Sequence, residues 1–386
     1  MSQYGNAPRA GRRYRVPMPE VIVLGLGSMG SAAAYTLAAR GLDVVGVDRF
    51  TPPHDRGAHA GGTRIIRMTY AEGAAYVPLL HRTYQLWWEL EQESEVRLVT
   101  PTGGLNLGRP ESATVSGALT SARAHGLAYE LLDADAIRRR FPQFRPAEDE
   151  VAVLDTAAGF VTPEIAISTI LGLAERAGAK LRFGTAAVSY RETSSGVSVS
   201  LADGDELHAE RLIIAPGGWA PGLLGDLPLR VERRVQHFWR PGPGFTPAEF
   251  PAWIWAADGL TAYGVPEHEG QVKAAFHAPP TPEQIDADTG AAPPRPDEEQ
   301  PVRDWLRPRL PTLAGAAYAG GKQCTYTLTP DENFILGAIS GRVVVAAGFS
   351  GHGFKFVPVV GEILAGLATD VVPPYDLALF SPARFR

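Results

Sequence analysis

Val21-Ile22-Val23-Leu24-Gly25-Leu26-Gly27-Ser28-Met29-Gly30 runs an apolar strand straight into Gly-x-Gly-x-x-Gly. An Ala-rich helix over residues 31–40 is predicted next. Gly41 stops it, and Val44-Val45-Gly46-Val47 forms a second apolar strand that delivers Asp48 at its carboxyl end. Each part has a physical task in holding a dinucleotide. Gly25 permits the tight turn, Gly27 lets backbone approach a pyrophosphate, and Gly30 lets helix and strand pack closely. Ser28 and Met29 belong to the same cofactor-binding stretch, at a helix N-terminus that faces phosphate charge. Asp48, with Arg49 beside it, would accept from the adenosine ribose hydroxyls. A Gly-rich turn alone is common in doubly wound sheets; the order strand, glycines, helix, strand, acid is what makes this one specific.

At 386 residues the chain can bury a large core and is long enough for two domains. Its net charge of -6 argues against nucleic acid as the main partner, because phosphate binding needs a positive field. No apolar segment reaches membrane-spanning length, so no membrane partner is expected. Residues 1–19 carry Arg9, Arg12, Arg13 and Arg15 with no apolar stretch behind them, and read as a loose N-terminal arm rather than a secretory signal. Cys324 is the single cysteine, which excludes an intrachain disulfide and leads to a cytoplasmic expectation. The histidines show no paired ligand spacing, and no metal is expected.

Further along, residues 76–93 have helical spacing, with Leu79, Leu80, Tyr84, Trp87 and Trp88 expected on one core face. A second helix is signalled by Thr162 as cap and Pro163 in the first turn, and ends at Gly178. Strand-like runs follow over 180–188, 197–201 and 207–215, with Asp203-Gly204 as a hairpin turn. They imply a small antiparallel meander inserted into a parallel-sheet domain. Residues 231–272, with Phe238, Trp239, Trp253, Trp255 and Tyr263, read as an antiparallel sheet of a separate domain. The Pro-rich and acidic stretch 278–301 reads as a surface excursion. Val343-Val344-Val345-Ala346-Ala347 is another buried strand, followed by a glycine loop over 348–356 and an apolar helix over 359–367. It should return to the first sheet and complete one ligand site at the carboxyl ends of the strands.

The predicted fold class is therefore α/β (α+β), a Rossmann-like cofactor domain interleaved with an antiparallel-sheet substrate domain. Residues 20–95, 151–227 and 320–386 are assigned to the first, and 96–150 and 228–319 to the second. NAD, NADP and FAD all fit the opening motif; Asp48 argues against a 2′-phosphate, although Arg49 weakens that exclusion. The interleaving favours FAD over a nicotinamide, whose domain is usually contiguous. A helix N-terminus after the 348–356 loop would also stabilise negative charge at the flavin pyrimidine edge on reduction.

Several blocks now carry a family resemblance. Residues 25–30 with Asp48, Pro52-Pro53-His54, Gly62-Thr63-Arg64-Ile65-Ile66-Arg67, Glu72-Gly73, Tyr76-Val77-Pro78-Leu79, Cys324-Thr325-Tyr326-Thr327, Asp331-Glu332-Asn333-Phe334 and Gly348-Phe349-Ser350-Gly351-His352-Gly353-Phe354-Lys355-Phe356 resemble the sarcosine oxidase and N-methyl amino acid oxidase family. The resemblance spans residues 20–380. It implies a monomer with covalent FAD that oxidises a secondary amine bearing a carboxylate and passes the electrons to O2.

In that family a cysteine at the position of Cys324 is thioether-linked to the flavin 8α-methyl carbon. Arg67 and Lys355 resemble the pair that holds the substrate carboxylate, where cations offset the loss of water beside an apolar ring. Arg64 and Lys273 match positions close to the flavin, with Lys273 implied in oxygen activation by its positive charge. His277, Tyr263 and Tyr326 match positions around the substrate, where they bind it or adjust its protonation. Thr63, Gly351, Gly353 and Phe354 complete the implied cofactor contacts. Ala60 departs from the pattern, standing where the family has a histidine four residues before the flavin arginine, with His59 beside it. Substrate range is thereby left open among sarcosine, bulkier N-methyl amino acids such as N-methyltryptophan, and cyclic ones such as pipecolate and proline. A flavin dehydrogenase using an acceptor other than oxygen is the alternative chemistry.

Overall fold

The structure, a computed structural model, describes residues 18–385. The first seventeen residues of the expected N-terminal arm lie outside the described residues. Val21–Leu24 sits inside a six-stranded sheet, between Val44–Val47 and Arg211–Ile214, both parallel to it. Lys180–Arg182 closes one edge; Val343–Ala347 pairs with Arg211–Ile214 on the other side, and Ile335–Ala338 adds an antiparallel edge strand. The strand predicted to return from near the C-terminus does so.

Both faces of this sheet are covered, as nearly unbroken apolar strands require. Val21, Val23, Ile213 and Val344 point into one core with the helices Ser28–Ala39, Pro163–Arg176 and Val357–Ala368. Ile22, Leu24, Leu212 and Val345 point the other way, onto a three-stranded meander of Ala187–Glu192, Val197–Leu201 and Glu206–Ala209. That meander and its Asp203-Gly204 turn match the sequence pattern. Two predicted runs split, however. Gly184, at φ +79°, breaks 180–188, so that Lys180–Arg182 joins the parallel sheet and Ala187–Glu192 joins the meander. Glu210 likewise divides 207–215 between the same two sheets.

Two local expectations are corrected. In the helix Val77–Ser94, Leu79, Leu80, Trp87 and Leu90 are buried, but Trp88 is 61% exposed. One residue is a 100° turn of the helix, enough to carry Trp88 off the stripe set by Leu80, Thr83 and Trp87. Thr162 occupies the N-cap position of Pro163–Arg176 without capping it. Its hydroxyl turns toward the Leu98 carbonyl instead.

The second sheet has nine strands. Arg230–Arg240 pairs antiparallel with Ala317–Leu328 on one side and with Gln271–Phe276 and the short Glu283–Gln284 on the other, and Leu260–His268, Ala252–Ala257, Gly104–Gly108, Val151–Asp155 and Glu130–Leu132 continue it. Val151–Asp155 and Ala317–Leu328 thus share a sheet with the segments expected to bind substrate. Alternation along the strands sorts its two faces. Trp239, Trp253, Trp255, Val272 and Ala274 fill a core behind the sheet. The cross-strand partners Cys324 with Arg234, Lys273 with Phe238, and Tyr263 with Ala275 and Ile254 put the candidate polar residues on the opposite face. The 278–301 excursion is mostly exposed, but Asp288 within it accepts from Trp219 Nε1 at 2.7 Å and pairs with Arg49.

Candidate active site

A cavity of about 500 Å³ runs from the carboxyl ends of the parallel strands to the front face of the second sheet. At its first end the glycines do what the sequence predicts. A Cβ on Gly25 would lie 2.3 Å from the Ala215 carbonyl oxygen, and one on Gly30 would lie 1.7 Å from the Gly25 oxygen. Gly27 instead opens to the cavity, with nothing closer to such an atom than His59 Nδ1 at 3.9 Å. No side chain caps the Ser28–Ala39 helix. Its first N–H groups therefore lack intrahelical or side-chain acceptors, as an anion-binding terminus requires. Asp48 Oδ2 accepts from Leu26 N at 2.7 Å and Oδ1 from Phe50 N at 2.8 Å, which fixes the carboxylate at the rim. Burial raises its pKa, against those two bonds and nearby His54. Ser28, Met29, Asp48 and Arg49 line the cavity.

Farther in, the wall is built from Cys324, Tyr326, Tyr263, His277 and Arg64. Cys324 is buried and unbridged. The His277 and Tyr326 rings lie 5.4 Å apart, and the Arg234 guanidinium covers the Tyr326 ring at 4.8 Å while its Nε donates to the His277 carbonyl. Burial holds His277 down at about 4, so the imidazole is neutral at physiological pH. Burial pushes Tyr326 up to about 12 and raises Tyr263 well above the usual phenol value, so both phenols stay protonated. A tight loop follows Val343–Ala347: Gly351 has φ +82°, and a Cβ there would lie 2.0 Å from the Tyr326 ring. Gly353, Phe354 and Lys355 complete this side.

Arg67 and Lys355 meet over one aromatic ring, with the Arg67 guanidinium 4.8 Å and Lys355 Nζ 5.0 Å from the Tyr70 centroid. Arg67 Nη2 also donates to both oxygens of Glu72, at 2.6 and 2.7 Å, and its Nε has no partner. Lys355 Nζ donates to the His352 carbonyl at 2.6 Å. Burial works to raise Glu72, but Arg67, His352 and Lys355 outweigh it and bring it to about 2. Burial lowers Lys355 to about 7 despite Glu72. Glu72 is a site residue to which the sequence assigned no role.

Lys273 stands behind this wall. It is buried, does not line the cavity, and donates to Gly61 O, Thr63 O and Gln236 Oε1 at 2.9, 2.5 and 2.9 Å. Thr63 is likewise a wall support rather than a lining residue, and Gly30 acts through packing. Glu164, also unassigned by the sequence, accepts from Gly61 N and Gly62 N and so orients the turn whose carbonyls face Lys273. The signal for Gln236 and Arg234 was present as period-two alternation in 230–240, visible once that strand's paired neighbours are known.

Residues 20–367 match the family described as DAO, FAD dependent oxidoreductase. The chain belongs to that family. It is an enzyme with FAD as cofactor, and the open glycine cradle, the uncapped helix terminus and the rim carboxylate suit the adenosine diphosphate half of that group. The monomeric sarcosine oxidase of Streptomyces avermitilis is 43% identical over 95% of this chain and 98% of its own length. The N-methyl-L-tryptophan oxidase of Salmonella agona is 34% identical over 95% and 99%. Among solved structures, NikD, an unusual amino acid oxidase essential for nikkomycin biosynthesis, superposes in its open form with a TM-score of 0.81 and 27% identity, over 95% of this chain and 97% of that one. No helix of the described residues is long and apolar enough to cross a membrane.

Proposed function

We propose that this FAD oxidoreductase oxidises a secondary amino acid, sarcosine or another N-methyl or N-alkyl amino acid, to an imine, with O2 reduced to H2O2. The observation that carries this reading is the convergence of Arg67 and Lys355 on the same cavity as the cofactor cradle. When bound, FAD supplies the two-electron acceptor. The chain's own residues bind, orient and enclose. Arg67 and Lys355 take the substrate carboxylate, which competes with Glu72 for Arg67 Nη2. Neutral His277 and the protonated Tyr263 and Tyr326 present hydrogen-bonding groups to the amine, and Arg64 and Lys273 hold positive charge on the cofactor side. Gly351, Gly353 and Phe354 would shape the loop beside the flavin, Ser28 and Met29 would hold the pyrophosphate, and Asp48 would take the ribose. We place the cofactor domain around the six-stranded sheet and the substrate domain around the nine-stranded one, in a monomer that works in the cytoplasm. A peroxide-coupled screen over N-methyl, N-alkyl and cyclic amino acids, run with and without an artificial electron acceptor, tests the reading. Peroxide from at least one secondary amino acid is expected; turnover only with the artificial acceptor would make the enzyme a dehydrogenase.

Cys324 is the proposed covalent tether, which would hold the flavin through a thioether. Its place on the cavity wall and lack of a disulfide partner support this. Acid-precipitated protein is expected to stay yellow, and Cys324→Ala to release its colour into the supernatant. Colour released equally from both proteins would remove the tether.

Lys355 makes carboxylate binding depend on pH. Below about 7 it is cationic and attracts a carboxylate; as pH rises through that value the charge is lost. The inhibition constant of a plain carboxylate without an amine, such as acetate, is therefore expected to rise with pH through this range. Lys355→Arg, always charged, should flatten the profile. A rise that persists in Lys355→Arg would assign the titration elsewhere.

A further inference from the structure

We propose that Gln236 is a positioning residue that ties Arg64 and Lys273 together behind the cofactor and so sets how the enzyme reacts with oxygen. The inference rests on the role given to Lys273 above. Gln236 lies on the front face of Arg230–Arg240 and is 1% exposed. Its Oε1 accepts from Lys273 Nζ at 2.9 Å and from Arg64 Nη1 at 3.3 Å, while Nε2 donates to the Ala60 carbonyl at 3.0 Å. Reversing the amide would set an NH2 group against two cations, so the chemistry of the partners fixes its orientation. Gly61 is fitted to it: a Cβ at that position would lie 2.4 Å from Oε1. Ala60, the departure from the family's histidine, brings no polar side-chain atom here. Arg64 Nη2 reaches the Ala60 carbonyl directly at 2.7 Å, and the Thr63 carbonyl accepts from both Arg64 Nη1 and Lys273 Nζ; beside that backbone bridge, the Gln236 carboxamide is the side chain that accepts from both cations.

Lys273 shows what this contact does. An ammonium has three N–H donors, and Lys273 has three acceptors, two of them backbone carbonyls and the third Gln236. A neutral amine has only two donors to offer the same set. Opposing the charged form are burial and Arg64, from Arg64–Ile66 in a separate three-stranded sheet. Glu164 on Pro163–Arg176 favours it, Cys324 on Ala317–Leu328 would do so only as a free thiolate and carries no charge as a thioether, and Gln271–Phe276 adds no other charge. Gln236 is the one neutral side chain among these acceptors, so it can be exchanged without rebuilding the Gly61–Thr63 backbone.

The test uses holoenzyme carrying lysines labelled with carbon-13 at the ε position; the chain has four lysines, and Lys273→Met identifies the signal. Gln236→Leu removes one acceptor and is expected to lower the Lys273 titration midpoint by about one pH unit. Gln236→Glu, nearly the same shape, should raise it. In rapid mixing at a pH above both measured Lys273 midpoints, Gln236→Leu should lower the ratio of oxygen reoxidation to substrate reduction about tenfold, and should recover it below them, where Lys273 is again charged; Gln236→Glu should hold the ratio. A loss that merely reflected looser packing would not recover with acid. An unmoved midpoint in Gln236→Leu overturns the proposal; should that variant not fold, an unmoved midpoint in Gln236→Glu does so. Unchanged oxygen kinetics in Lys273→Met would instead overturn the role of Lys273 itself, a failure the lysine titration distinguishes.

Discussion

Arg67→Met is expected to raise KM for a carboxylate-bearing amine by a factor on the order of 10² to 10³, with a smaller fall in kcat. Two losses combine. The substrate carboxylate loses its two-pronged partner, and Glu72, which both Arg67 Nη2 contacts now satisfy and whose side chain is 31% exposed, keeps Lys355 as its neighbouring cation. Breaking one side of a fully buried ion pair costs ~3–5 kcal/mol, solvent reaching Glu72 reduces that here, and about 1.4 kcal/mol is a factor of ten. Steady-state kinetics on Arg67→Met and on Arg67→Met with Glu72→Gln separate the contributions. Removing both charges should restore much of the thermal stability, since no carboxylate is then stranded, while KM stays high. Recovery of KM in the double variant would mean that Arg67 only neutralises Glu72 and does not hold substrate.

Lys273→Met should slow oxidation of the reduced enzyme by O2 on the order of 10²-fold, a size typical of removing one preorganised charge from a water-poor site. Reduction by substrate should fall far less, because Lys273 lies behind Arg64 and does not face the cavity. Stopped-flow measurement of each half-reaction reads the two constants separately. Equal losses in both would show that the variant disturbs the Gly61–Thr63 turn, which two of the lysine's three hydrogen bonds support.

How much of this was legible in the chain depended on the range of the interaction. The cradle at residues 25–30, the Asp203-Gly204 hairpin and the returning Val343–Ala347 strand are local patterns: apolar runs, turn residues and glycines at fixed offsets. They stand in the structure where they were placed. The errors came where local pattern is shared between two partners. The 180–188 and 207–215 runs look continuous but each feeds two sheets, because a single residue, Gly184 or Glu210, redirects the chain. Trp88 is apolar and next to the core stripe, yet faces water. The motif blocks gave Arg67, Lys355, Tyr326 and Cys324, and the cavity gathers all four. They gave no role to Glu72, five residues from Arg67, or to Gln236 and Glu164, which reach the same turn from more than a hundred residues away. These depend on tertiary closure, for which a single sequence holds no periodic signal.

The most direct measurement is anaerobic. Purified enzyme mixed with an N-methyl amino acid in the absence of oxygen should lose its yellow flavin absorbance. Air should then restore it with one H2O2 formed per substrate oxidised, and the methyl ester of the same amino acid should act far more slowly for want of a carboxylate. Absorbance that no secondary amino acid bleaches, or bleaching as fast by the ester as by the acid, would contradict the account.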